Sequence, residues 1–405
     1  MTRLATAIVG VLCAAAPALA QHTGHTLAAD GSFKTPTVAV DADGRLWRAW
    51  VEKGHVLVGV STDAGRSFGT PIEVTRQAES VDANGESRPK IAIGRRGEVY
   101  VTYTRLGVRP YTGDIRFSRS LDGGRTFEPP RTINDDGLDT GHRFDTLAVA
   151  PDGAVFVVWI DKRDLERATA SQRAYEGAAL YFTTSRDRGA TFARNVKVKD
   201  HICECCRVAY VFDADGTLVL AWRDVMAGSI RDHAMTRIAA DGSVGEIRRL
   251  TTDNWMLRGC PHHGPSLAVD GKGVLHVTWF TGQGPQGPGA WYGRFDPQGR
   301  ALGAPRRLGV AATSGHAVVA VNGPTVHVAW KNADGTASTV MAMESLDGGL
   351  SFSAPREVLR GARAADHPLL VVTPGGPLLS WFAPDTGHRL VPLGRLTSSA
   401  STPSR

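Results

Sequence analysis

Seven copies of one short pattern run through this 405-residue chain. Each copy is a short apolar strand, a Gly/Asp turn, and an alternating strand that closes on an aromatic. The copies read PTVAVDADGRLWRAW (36–50), PKIAIGRRGEVYVTY (89–103), DTLAVAPDGAVFVVW (145–159), YVFDADGTLVLAW (210–222), PSLAVDGKGVLHVTW (265–279), VVAVNGPTVHVAW (318–330) and PLLVVTPGGPLLSW (368–381). The closing aromatics Trp50, Tyr103, Trp159, Trp222, Trp279, Trp330 and Trp381 are spaced 53, 56, 63, 57, 51 and 51 residues apart. Self-similarity at a period of about 20–50 residues or slightly more is the mark of a repeat architecture.

A third alternating strand follows each pair, as in HVLVGVST (55–62), DIRFSRS (114–120) and ALYFTTS (179–185), and then a short fourth, as in TPIEVT (70–75) and PREVLR (355–360). Four antiparallel strands per repeat, with no helical periodicity, form the unit of a β-propeller blade. One blade cannot bury both of its faces, so blades must stack around an axis. The expected fold is therefore all-β, a propeller of four-stranded antiparallel blades over residues 21–396, with seven blades preferred and six the alternative. The last repeat has a third strand near His388 to Leu396 but no fourth, and HTLAAD (25–30) is placed to supply it. Closing the ring with this N-terminal strand removes an exposed sheet edge.

The termini read differently. Arg3, the apolar run Leu4 to Ala16 and Ala18-Leu19-Ala20 have the order of a cleavable export signal over residues 1–20. Cys13 lies inside the apolar run, but the bulky Leu12 before it does not suit lipid attachment. Residues 397–405, rich in Ser and Thr, read as a flexible tail. The expectation is a periplasmic or secreted protein, cleaved near Ala20, with no transmembrane anchor. The net charge of +6 is scattered along the chain rather than gathered on one element, which argues against a nucleic-acid partner. Oligomeric state and protein partner are not written in the sequence.

A more specific signature sits between strands three and four: STDAGRSF (61–68), SLDGGRTF (120–127), SRDRGATF (185–192) and SLDGGLSF (345–352). It resembles the Asp-box of the BNR repeat, Ser-x-Asp-x-Gly-x-Ser/Thr-Phe, found in sialidases and other secreted propellers. With two degraded copies, RIAADGSVG and RFDPQGRALG, the resemblance covers nearly all of the chain beyond the leader. Asp63, Asp122, Asp187 and Asp347 are suited to bond backbone N–H groups of their own turns, and the glycines to accept positive φ. The resemblance implies a structural role for these boxes, on the outer rim away from any catalytic funnel.

It also invites a sialidase assignment, which the site motifs do not sustain. Where that family opens with Arg-Ile-Pro, this chain has Lys34-Thr35-Pro36, and lysine lacks the bidentate fork for a substrate carboxylate. The family's late tyrosine nucleophile has no counterpart, since the last tyrosine is Tyr292. No general acid stands out after Lys34. Arg88 and Arg143 imitate two members of the family's arginine triad, and with Lys34 and Arg207 they make a cationic half-ring suited to an anionic glycan. An exo-sialidase or another glycoside hydrolase of anionic glycans therefore stays open as the enzymatic reading, with catalytic residues unknown.

The residues just before each first strand carry other chemistry. Beside Lys34, Arg88 and Arg143 stand HICECC (201–206) with Arg207, CPHH (260–263), His316 and His367. If the register holds, Cys203, Cys205, Cys206 and Cys260 converge with His262, His263, His316 and His367 around one side of the central funnel. Thiolate and imidazole select a soft ion, with copper favoured over zinc here. Two disulfides, Cys203–Cys260 and a vicinal Cys205–Cys206, are the structural alternative for an exported chain acting as an interaction scaffold.

Overall fold

The computed structural model describes residues 34–284, 287–309, 313–362 and 364–394. The leader, the HTLAAD segment and the tail lie outside the described residues, as does Cys13. Seven antiparallel sheets follow one another along the chain, six of four strands and the last of three among the described residues. Every sheet is a meander of consecutive strands, as the repeat predicts. Their first strands are Lys34–Val40, Lys90–Ile93, His142–Val149, Ala209–Phe212, Ser266–Val269, Gly315–Asn322 and Leu369–Thr373. Each packs beside the next, and Leu369–Thr373 returns to lie against Lys34–Val40, so the ring closes with seven blades and not six.

The second strands explain the apolar runs of the repeat. Val155–Asp161 is buried along its whole length, and Leu218–Arg223 likewise, because a neighbouring blade covers each face. The closing aromatics Trp50, Tyr103, Trp159, Trp222, Trp330 and Trp381 lie in this inter-blade layer, all at most 1 % exposed. A buried indole N–H needs an acceptor, and that of Trp159 finds the carboxylate of Asp161 two residues on, at 2.7 Å.

Two features depart from plain repetition. The connection between strands two and three of blade 3 holds a helix, Arg163–Ala170, where no helix is expected from the sequence. Two turns are too short to show a 3.6-residue period, yet Asp164 and Glu166 in its first turn and Arg167 in its last suit the helix dipole. The first strands of blades 1, 3 and 6 also carry a register break, and at each break a non-glycine residue takes positive φ: Thr35 (45°), Phe144 (57°) and His316 (49°). Such bulges locally kink a strand and re-aim its side chains. No helix among the described residues is long and apolar enough to cross a membrane.

Candidate functional site

In a meander blade, the loops entering first strands all open on one face of the ring. HICECC spans the end of Val196–Ile202 in blade 3 and the loop into Ala209–Phe212 of blade 4. The fold there brings Cys203, Cys205 and Cys206 together, with Sγ separations of 3.7, 3.5 and 3.9 Å. All three are buried, packed against Phe144, Ile202, Val208 and Trp222. The Cys203 N–H donates to the carbonyl of Arg223 at 3.0 Å, which pins the start of the turn. Cys260 is exposed, its thiol 3.5 Å from Glu204 Oε1 and in hydrogen-bonding contact with Cys205.

This corrects the disulfide alternative. All four described cysteines are free thiols, and the vicinal pair stands 3.9 Å apart where a disulfide needs about 2.05 Å. Hydrogen bonds from Cys205 and Cys206, helped by the nearby Arg223 guanidinium, hold the Cys203 thiol well below its ordinary pKa against the opposing effect of burial. The bond to Cys203 pushes Cys205 up, and burial pushes Cys206 up to about 12.

The histidines gather beside it around a residue absent from the sequence reading, Glu86. Its Oε2 accepts the backbone N–H groups of Arg207 and Gly264, both at 2.9 Å, and its Oε1 accepts Arg207 Nη1 at 2.8 Å. His316 Nδ1 and His367 Nδ1 both lie 3.4 Å from Oε1. The rings form a column, with centroids 4.1 Å apart for Phe280 and His263, 4.1 Å for His263 and His316, and 3.3 Å for His316 and His367. Glycine at 315 permits this approach, since a Cβ there would meet the His263 ring at 2.6 Å. Burial pushes His263 and His316 down to about 3 and His367 to about 4, so all three are neutral imidazoles at pH 7. Burial pushes Glu86 up, but Arg207 and the histidines outweigh it and hold the carboxyl well below its ordinary value. His262 is exposed and stands apart from the column.

The expected single Cys/His cluster is therefore two groups, the thiols on one side and Glu86, His316 and His367 on the other. The peptide bond between Cys206 and Arg207 joins them.

The cations at the other entrances are met by carboxylates. Arg88 pairs with Asp366 at 2.8 Å, Arg143 with Asp82 at 2.6 Å, and Arg207 with Glu86 at 2.8 Å, while Lys34 is exposed. Asp82, Glu86 and Asp366 stand in the same entrance loops as the residues singled out from sequence. Acidic residues are so common in loops that only their positions just ahead of first strands could have flagged them. Between the entrances a cavity of about 400 Å³ is lined by Thr37, Glu86, Arg88, Lys90, Arg207 and Tyr210. Burial pushes the Lys90 amine in it down to about 8. A third acidic and imidazole group, Asp136, His142 and Asp161, is buried in blade 3 and neutralised by Arg163.

The turns between strands three and four lie on the opposite face. Asp187 Oδ1 accepts Ser185 Oγ at 2.7 Å and Thr191 N at 2.9 Å, and Oδ2 accepts Thr191 Oγ1 at 2.6 Å. Asp63, Asp122 and Asp347 repeat this pattern with Ser61 and Ser67, Ser120 and Thr126, and Ser345 and Ser351. The box aromatics pack on the preceding blade: Phe192 meets Phe117 edge-on at 4.8 Å, and Phe352 meets Tyr292 at 5.0 Å.

No protein-family model matches the chain, and a search of curated proteins returned no match. Solved structures do share its fold. A polysaccharide lyase of family PL25, an ulvan lyase, superposes with a TM-score of 0.59 at 13% identity, covering 89% of this chain and 95% of the lyase. The α-L-arabinanase of Penicillium chrysogenum gives 0.51 at 14% identity, covering 77% and 95%. The polysaccharide lyase Uly1 gives 0.52 at 10% identity, covering 88% and 90%. At such identities the likeness is one of fold.

Proposed function

We propose that this propeller is an exported protein that binds a soft metal ion, copper(I) in preference to zinc, through Cys203, Cys205 and Cys206, and that it is not a sialidase. The observation that carries this reading is the size of the sulfur triangle. With edges of 3.5–3.9 Å, its centre lies about 2.1 Å from each sulfur, close to the ~2.3 Å of a metal–thiolate bond. Three buried thiolates with no oxygen ligand among them favour copper(I), which accepts three-coordination in an apolar site. Cys260, exposed beside Cys205, is placed to hand the ion inward or to complete a fourth position for zinc. The leader over residues 1–20 supports delivery to the periplasm or the medium.

Metal analysis of protein recovered from the periplasm without chelators tests the reading. The expected result is about one copper per chain, lost in Cys205→Ser. Protein with four reactive thiols and neither copper nor zinc above background would overturn it.

A second reading is action on, or binding of, an anionic glycan. The cavity lined by Arg88, Lys90 and Arg207 favours it, and glycan-processing enzymes share the fold. Screening against sialosides and uronic-acid polysaccharides tests this. Turnover or binding abolished by Lys90→Met would support it, and inertness across the panel would remove it.

A further inference from the structure

We infer that Glu86, His316 and His367 form a second metal site, separate from the thiols and different in chemistry, that takes a borderline divalent cation such as zinc. The argument begins with a distance. Both imidazole Nδ1 atoms lie 3.4 Å from Glu86 Oε1. That is too long for a good N–H···O hydrogen bond, whose donor and acceptor sit about 2.7–3.2 Å apart. It matches the edge of a tetrahedron with metal–ligand bonds of about 2.0–2.1 Å, which comes to about 3.3–3.4 Å. The three ligand atoms all lie within 4.8 Å of one another, so one ion can touch all of them.

The nitrogens are also unspent. His316 Nδ1 and His367 Nδ1 are buried atoms without a hydrogen-bond partner, and a buried polar atom left unpaired costs about 1–3 kcal/mol unless something else satisfies it. The two rings enter from different blades and bring the same atom to the same oxygen; stacked 3.3 Å apart and 16° from parallel, they must splay for one ion to lie in both ring planes. His316 reaches that oxygen from a positive φ of 49°, a conformation that costs free energy in a non-glycine residue. Two imidazoles and one carboxylate suit zinc or another borderline ion, whereas three thiols suit copper(I). The backbone N–H groups of Arg207 and Gly264 already orient the carboxylate from its other oxygen, the supporting shell that a metal-bound carboxylate requires. Glu86 also lines the channel cavity, and an open fourth position is what distinguishes a reactive zinc site from a structural one.

Arg207 opposes the ion. Its Nη1 donates to the same Oε1 at 2.8 Å, so a cation binds only by taking over part of that charge. Removing the guanidinium should therefore tighten binding, an effect that a purely structural Glu–His contact does not produce.

The test uses cobalt(II) as the probe on the whole protein, and does not depend on whether the thiols hold copper. Cobalt at nitrogen and oxygen ligands gives weak visible bands, while cobalt at thiolates adds an intense near-ultraviolet charge-transfer band. In Cys205→Ser, whose thiol site is broken, the expected result is visible bands without the thiolate band. Added to that variant, His367→Asn or His316→Asn should abolish them, and Arg207→Gln should make them saturate at several-fold lower cobalt. Asparagine tolerates positive φ, so His316→Asn keeps its backbone. Should the histidine variants fail to fold, X-ray absorption of the zinc-loaded Cys205→Ser protein decides by bond length. Nitrogen and oxygen scatterers at about 2.0–2.1 Å support the site, and sulfur at about 2.3 Å overturns it. Absence of any cobalt band in the Cys205→Ser protein would overturn it as well.

Discussion

Arg88 reaches across the ring to Asp366: the guanidinium at the entrance of blade 2 and the carboxylate at the entrance of blade 7 are 2.8 Å apart, each 4 % exposed. The same guanidinium donates to the carbonyls of Pro36 at 3.2 Å and Gly85 at 2.8 Å, so it stitches blade 1, its own loop and blade 7 together. Removing one partner of a buried pair strands the other's charge. Arg88→Ala should therefore cost about 3–5 kcal/mol in urea unfolding. If glycan binding fell instead while stability held, Arg88 would be a ligand-binding residue.

The thiols should report their own states. Of the four described cysteines only Cys260 is exposed. A chromogenic disulfide reagent should modify one thiol rapidly in the native, metal-free protein and the other three only on unfolding. No rapid modification in Cys260→Ser would confirm the assignment, and fewer than four thiols in the unfolded chain would mean that a disulfide had formed.

On the opposite face, the box glycines are places where the preceding blade comes close. A Cβ at Gly189 would sit 2.6 Å from Phe117, and the backbone there has φ +76°. Gly189→Ala combines overpacking with strain and should cost about 2–3 kcal/mol. Metal content should not change, because the entrance loops are at the other end of the strands. A matching loss of metal would show that the two faces are mechanically linked.

Asp253 carries a pH signature. Burial, with the charge of Asp232 adding to it, raises its carboxyl from 3.8 to about 6. Between those values the folded chain binds more protons than the unfolded one, so this group's contribution to stability falls as pH rises through that window. The deficit is complete above about pH 6. Asp253→Asn keeps an acceptor for the Trp279 indole, which now donates to Oδ2 at 2.9 Å. It should flatten the pH 4–6 slope of Tm and stabilise the protein at pH 7 by about 1 kcal/mol, a value reduced for solvent screening. An unchanged slope would place the titration elsewhere.

The blades were legible because their determinants are local: a Gly/Asp turn, an alternating strand and a closing aromatic recur wherever a strand pair is covered on both faces. That HICECC, His263, His316 and His367 stand at first-strand entrances followed from the register, but the structure divides the thiols from His316 and His367 instead of merging them in one cluster. What the sequence hid was the partners. Glu86 sits in SVDANGESRPK, a polar loop with nothing to separate it from any solvated turn. Its role exists only because the ring brings residues 86, 207, 264, 316 and 367 to one point, distances along the chain that no local pattern encodes. The helix Arg163–Ala170 was hidden for the opposite reason, being too short to show a period. Disulfides were an inference from cysteine count, whereas the four described cysteines stand as free thiols.

The segregation of the two faces has a developmental corollary for the lineage of such a chain. One face is spent on repeated turns that lock blade to blade, and the other carries loops of unequal length, from the short link ahead of Ala209–Phe212 to the long one between Arg248–Arg249 and Ser266–Val269. Insertions on the variable face lengthen connections between strands that are already anchored at their far ends. The ring can thus be re-equipped one entrance at a time, gaining or losing a ligand set in a single loop, while every intermediate remains a folded protein on which selection can act.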